Sequence, residues 1–236
     1  DQLQELARDL SERAATYSFL ARALSDEDLP AEFLGALAAE APQTGTDLDG
    51  FAASLADKGP EELEQVRKEV AADHASTLLG MSAAPVSPYE SVHTSSEELM
   101  MQEARDRAVA AYRASGFAVT EDCRVPEDHI ATELAFMAGL GERAATQLAP
   151  VLSGEVEGEA AGAAMAEAEK AMNAQLDFLE KSLLSWVPGF CDLLERRAST
   201  GLYRGVAQML REFMAQEAAY LAEVQEARSE EHTSEL

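Results

Sequence analysis

Apolar positions recur at three- and four-residue intervals from the first turn of the chain onward. Leu3, Leu6, Leu10, Tyr17, Leu20 and Leu24, with Ala14 between them, form one stripe of an amphipathic first helix. Pro30 and Pro60 stand where a first helical turn tolerates proline, opening PAEFLGALAAEA and PEELEQVRKEVAADHASTLLG. The second of these carries Leu63, Val66, Val70, His74 and Leu78 on its inward face and is expected to stop at Gly80. Residues 81–94, MSAAPVSPYESVHT, interrupt any regular element with two prolines and several serines. Ser95, with Glu98 three positions on, predicts a capping box that opens a helix running to Gly116. FAVTEDCRV, residues 117–125, is the one stretch of extended character and reads as a linker. Pro126 predicts the first turn of another helix, with Ile130, Leu134 and Met137 inward. A Gly- and Glu-rich loop begins at Leu152. An Ala-rich helix to about Leu184, a helix around WVPGFCDLLERRA, and one from about Leu202 to Val224 follow.

The expected fold is therefore all-α: a single helical domain of about nine or ten helices in two sequential groups, about 1–116 and 126–227, joined by the linker 117–125. Composition agrees. Apolar residues make up 47% and aromatic residues 6%, which suits a packed globular chain. Alanine is abundant and isoleucine occurs once, as Ile130, so strand formers are scarce. Residues 228–236, RSEEHTSEL, resemble an in-frame translation of a sequencing-library adapter; they are read as a non-native tail and set aside with His232.

Charge narrows the function. A formal charge of −26 and a pI near 4.3 repel phosphate backbones, so no nucleic-acid partner is expected. Such a surface keeps a chain soluble and steers cationic partners toward it. Neither a signal peptide nor a run long enough to span a membrane is visible, and Cys123 and Cys191 form no CxxC. These features place the chain in the cytoplasm, without stable membrane insertion.

Motifs for chemistry are scarce. His74, His93, His129 and the two cysteines include no pair at zinc-ligand spacing, and no Glu-x-x-His pair of a di-iron bundle occurs. GxSxG, GxGxxG and GxxxxGK[ST] are all absent. No catalytic residue, no metal and no resident cofactor are assigned, and the chain is not expected to be an enzyme.

One stretch stands apart: VPEDHIATELAFM, Val125 to Met137. With Pro126 at the first helical position, Glu127 and Asp128 fall in a turn where exposed N–H groups and the helix dipole favour acids. His129 and Glu133, four apart, flank the Ile130 stripe at the edge of the buried face. Two readings stay open for Asp128 and His129: capping and packing, or the charged lip of an apolar groove that accepts a peptide bearing arginines and leucines.

Four segments in order resemble the TorD/DmsD family of cytoplasmic redox-enzyme maturation chaperones, over about residues 10 to 222. They are ERAATYSFLARAL from Glu12, LLGMSAAPVSPYESVH from Leu78, VPEDHIATELAFM, and SWVPGFCDLLERRASTGLY from Ser185. The resemblance implies a helical chaperone that binds the twin-arginine signal peptide, or the apo-form, of a molybdopterin-dependent oxidoreductase catalytic subunit and delays export until the cofactor is inserted. An alternative within the class is an assembly chaperone for a non-exported or membrane-bound reductase subunit. The molybdopterin belongs to the client. The resemblance puts Pro126, Asp128, His129 and Glu133 in the client-binding motif, with Tyr89, Glu90, Ser91, Leu78 and His74 lining the same groove. It also implies a monomer or a dimer that exchanges its helical groups. Val125 stands where the family usually has Glu, and His74 where a larger aromatic is common; on its own evidence His74 reads first as a core-facing histidine rather than a contact.

Overall fold

The computed structural model describes residues 2–25, 29–120 and 125–234, with side chains described as far as residue 226. Cys123 and most of the presumed linker's second half lie outside the described residues, as do the side chains of the tail. Among the described residues the chain is all-α, as expected. Its helices are α1 (Gln2–Ser25), α2 (Ala31–Glu40), α3 (Asp47–Leu55), α4 (Pro60–Thr77), α5 (Glu90–Thr94), α6 (Glu103–Ala114), α7 (Ile130–Leu152), α8 (Gly158–Phe178), α9 (Leu184–Arg197) and α10 (Gly201–Ser234). A π-helical turn, Leu179–Leu183, follows α8.

The helices group into two compact units, and the grouping differs from the sequential halves 1–116 and 126–227. The first unit takes residues 1–24 and 89–185, and the second takes 25–88 and 186–236. The physical reason is that each unit closes its core with segments distant in sequence. In the first, Gly141 lets α7 approach α1 so closely that a Cβ there would lie 3.2 Å from Ala14 Cβ. Buried Leu10, Ala14, Tyr17 and Leu20 of α1 contribute to its core, and Leu134, Met137, Leu176 and Leu179 come from the later helices. Tyr112, Phe136 and Phe178 pack there in tilted and edge contacts with centroids 4.7–6.0 Å apart. The linker 117–125 therefore joins two parts of one unit.

In the second unit Gly205 of α10 meets the first turn of α3: a Cβ would come within 2.6 Å of Leu48 Cα. Helix α3 is not anticipated by the periodicity. It rests on local capping, with Thr46 Oγ1 accepting Leu48 N–H at 3.3 Å. Asp49 accepts from Thr44 N, Thr44 Oγ1 and Gly45 N at 2.6–2.8 Å, and the Thr44 hydrogen bonds hold its carboxyl below the usual range.

Two expected helix starts move. The Ser95/Glu98 box does not open α6, which begins at Glu103. Ser95 to Gln102 instead form an irregular loop with Glu98 and Met101 in the left-handed region, at φ 52° and 60°. Helix α7 begins at Ile130, so Pro126 is not its first residue and Glu127 and Asp128 are not in its first turn. The backbone of His129 is engaged in an antiparallel bridge with Tyr89, and Glu127 and Asp128 before it lie in a turn rather than in a helix. The two glycine stops are where the spacing puts them: Gly80 and Gly116 both take positive φ beyond the ends of α4 and α6.

Candidate functional site

In the first unit a four-residue turn, Pro126 to His129, converges on the start of α5. Asp128 O accepts Glu90 N–H at 3.0 Å, and Asp128 Oδ2 accepts Ser91 N–H at 2.9 Å. The carboxylate thus caps α5, a helix 37 positions away from it, rather than α7. Ser91 Oγ accepts Gln102 N–H at 3.0 Å, tying α5 to the end of the Ser95–Gln102 loop. His129 caps α7 itself, its Nδ1 accepting Ala131 N–H at 3.1 Å. Its ring meets that of Tyr89 edge-on at 5.1 Å. Pro126 closes the turn, its carbonyl accepting His129 N–H at 3.1 Å.

The acids expected at a rim are inside. Asp128, Glu90 and Glu133 are each 0% exposed, and His129 is buried as well. The reading of these side chains as a solvent-facing lip is corrected on that point: Asp128 and His129 lie against the backbone N–H groups that they cap, and Glu90 and Glu133 are buried in the same unit. Burial leaves Glu90 Oε2 and Asp128 Oδ1 with no hydrogen-bond partner among the described residues. Keeping charged oxygens buried without partners costs several kcal/mol in ordinary protein interiors.

Cations and a phenol surround this acidic set. Arg105 Nε and Nη2 donate to Glu127 at 2.6 and 3.1 Å, and this bond holds the Glu127 carboxyl below the usual carboxylate range. Arg107 Nη2 donates to Glu90 Oε1 at 2.9 Å. Tyr112 donates its hydroxyl to Glu127 O at 2.8 Å. Burial, and then the nearby charges of Glu133, Asp128, Glu90 and Glu127, push its phenol well above the ordinary range. It is therefore a fixed donor and not a proton acceptor at neutral pH. Neither arginine nor Tyr112 stands out in the sequence; the only signal is a basic residue at each of two alternate positions in EARDRAVAAY.

The structure therefore brings Tyr89, Glu90, Ser91, Pro126, Asp128, His129 and Glu133 into one unit. His74 and Leu78 belong to the other. Both are buried, and His74 stacks on Tyr203 at 5.6 Å with planes 16° apart. Next to them Leu79 and Met81 are exposed. The residue that sequence reasoning missed here is Asp73, 2% exposed, which accepts from Ser199 N, Thr200 N, Thr200 Oγ1 and Thr77 Oγ1 at 2.6–3.1 Å. Burial alone would raise its carboxyl, but the hydrogen bonds from Ser199 and Thr200 outweigh it and hold the pKa below the usual value.

Two other chemistries find little support. Cys191 is buried, and loss of solvent pushes its thiol far above the ordinary range, so it is not poised as a nucleophile. Among the described residues no group of three His, Cys, Asp or Glu side chains is arranged to hold a metal ion, and no helix is long and apolar enough to cross a membrane.

The model of a known family, the nitrate reductase delta subunit family, matches residues 37–192, a span that includes every residue of the site. The chain belongs to that family. It is similar to the chaperone protein TorD of Photobacterium profundum, 27% identical over 234 residues that cover 93% of this chain and 98% of that one. The TorD chaperone of Vibrio parahaemolyticus serotype O3:K6 is 27% identical over 161 residues, 68% of each chain, and that of Aliivibrio salmonicida is 29% identical over 163 residues, 67% of each. The resemblance to TorD-type chaperones read from the four sequence segments is thus met by independent comparison. This member of the family is a redox-enzyme maturation chaperone and not an enzyme.

Proposed function

We propose that the chaperone binds the twin-arginine signal peptide, or the apo-form, of a molybdopterin-dependent oxidoreductase catalytic subunit in the cytoplasm and delays its export until the cofactor is inserted. The observation that carries this reading is the buried acidic set of the first unit. Glu90 and Asp128 each keep one carboxylate oxygen without a protein partner among the described residues, and a guanidinium is the side chain best suited to satisfy them. Arginine offers a planar fork of donors, whereas lysine offers a point charge that would leave an oxygen unsatisfied. Tyr89, Ser91, Pro126 and His129 fix the position of these acids through the caps and contacts described above, and buried Glu133 belongs to the same proposed client-binding set.

The segment after the arginines of such a leader is apolar. Exposed Leu99, Met100 and Met101 lie in the loop that Gln102 ties to Ser91, and methionine adapts to varied apolar partners. In the second unit, Leu79 and Met81 give a similar surface over buried Leu78 and His74. The overall negative charge speeds encounter with a basic leader but does not choose among clients. On this reading the chaperone carries no cofactor of its own; the molybdopterin is the client's.

A second reading, an assembly chaperone for a non-exported or membrane-bound reductase subunit, draws support from the matching family's description as a nitrate reductase delta subunit. Calorimetric titration with twin-arginine leaders from neighbouring reductase genes separates the two. Micromolar or tighter binding, lost with a lysine-pair control, supports the first. No binding to any leader, together with binding to a leaderless catalytic subunit, sinks the first and supports the second.

A further inference from the structure

Glu90 is 0% exposed, yet the one cation within ion-pair distance of it among the described residues, Arg107, is 47% exposed. The contact is single: Nη2 to Oε1 at 2.9 Å, with Oε2 left without a partner among the described residues. Arginine commonly grips a carboxylate with two parallel bonds, and Arg105, on the same helix α6, does so to Glu127. Arg107 thus covers a buried acid from the solvent side without saturating it.

We propose that Arg107 is an internal stand-in for a client arginine, holding the Glu90 slot until an incoming guanidinium displaces it. The inference rests on the client reading above and adds a regulatory element to it. The resident cation keeps the empty chaperone's buried charge compensated, and a client guanidinium that engages both Glu90 oxygens replaces it. Arg107, freed, swings to solvent at little cost because half of its side chain is already there. Client binding is then an exchange of one ion pair for a better one. Short basic peptides that cannot make the second bond gain nothing from the exchange, so the device sets a threshold against non-specific cations. This matters for a chain of formal charge −26, which attracts every basic segment it meets.

Two measurements on the full chain test it. In the first, the melting temperature of Arg107→Ala is followed with millimolar methylguanidinium and, at matched ionic strength, methylammonium. Selective recovery by methylguanidinium, absent in Arg107→Ala/Glu90→Gln, supports a guanidinium slot at Glu90; equal or no recovery by both overturns it. In the second, a twin-arginine leader is titrated into wild type, Arg107→Gln and Arg107→Lys. Displacement predicts about tenfold tighter binding to Arg107→Gln, the factor for one charged hydrogen bond that no longer has to be broken, with Arg107→Lys between the two. Unchanged or weaker binding to Arg107→Gln overturns displacement. Should the wild type bind no leader at all, the client reading fails, while the methylguanidinium recovery still decides whether the slot exists.

Discussion

Replacing Asp128 by Asn separates its capping of α5 from the client binding proposed for it. One carboxylate oxygen caps α5 through Ser91 N–H at 2.9 Å, and the other has no partner among the described residues. The amide keeps an oxygen for Ser91, so the capping bond survives without its charge, a loss of about 1 kcal/mol on the difference between charged and neutral hydrogen bonds. Against that, the variant no longer buries an unpartnered charge, which is a gain of similar or larger size. Stability should therefore stay within about 2 kcal/mol of wild type. Asp128→Ala removes the acceptor and strands a buried N–H, with a loss of about 2–4 kcal/mol. Binding of a guanidinium behaves differently. Asn cannot supply the charge, and about 1–3 kcal/mol, or about 5- to 150-fold in Kd, should go. Calorimetry with a twin-arginine leader and urea denaturation of the same samples give both quantities. Glu127→Gln is the control, since its carboxylate is already satisfied by Arg105. If Asp128→Asn binds like wild type while Asp128→Ala loses about 2–4 kcal/mol of stability, Asp128 is a cap and nothing else.

Three further outcomes are expected. Asp73→Asn should cost about 2–4 kcal/mol at pH 7, because Oδ2 alone accepts two bonds at the start of α10, at 2.8 and 2.6 Å. The folded-state pKa of Asp73 is depressed, so its contribution is present above the unfolded value of about 4 and lost as pH falls below it; the gap between wild type and variant in urea titrations should shrink from about pH 7 toward about pH 3. Gly205→Ala should lower stability by more than about 3 kcal/mol or prevent folding, since its methyl would meet the backbone of Leu48, which cannot yield as a flexible side chain could. A melting temperature within a degree or two of wild type would show that α3 moves freely. His129→Ala should cost about 2 kcal/mol for the lost α7 cap and the Tyr89 contact, and His129→Asn, which keeps a cap acceptor, should recover part of it in thermal melts.

The fold class was legible because apolar spacing is a local property. The buried stripe Leu10, Ala14, Tyr17, Leu20 and Leu24 is the one that the spacing of α1 predicts, and Gly80 and Gly116 end helices because their backbones take positive φ there. Helix α3 escaped because its start depends on Thr46 and Asp49 as caps rather than on a long apolar stripe; TGTD was the available signal. The division into units was not legible at all. Chain order groups neighbours, whereas Gly141 against Ala14 and Gly205 against Leu48 are close approaches between distant segments, and nothing at either end of such a pair announces the other.

The candidate site shows the same limit more sharply. VPEDHIATELAFM supplies residues that the structure draws together with Glu90 and Ser91, but a helical wheel assigns faces only if the helix start is known. Starting α7 at Pro126 puts Asp128 in its first turn and His129 and Glu133 on an edge. Starting it at Ile130 turns His129 into the cap and sends the Asp128 carboxylate to α5. That shift of register converts a charged rim into a buried acidic set. The change alters what the site asks of a ligand. A rim of solvated acids attracts any cation weakly, whereas buried acids with unsatisfied oxygens reward only a cation that can shed its water and reach both oxygens. On the proposed client reading, selectivity for arginine over lysine is the expected consequence of burial, and it is the property that the lysine-pair leader measures.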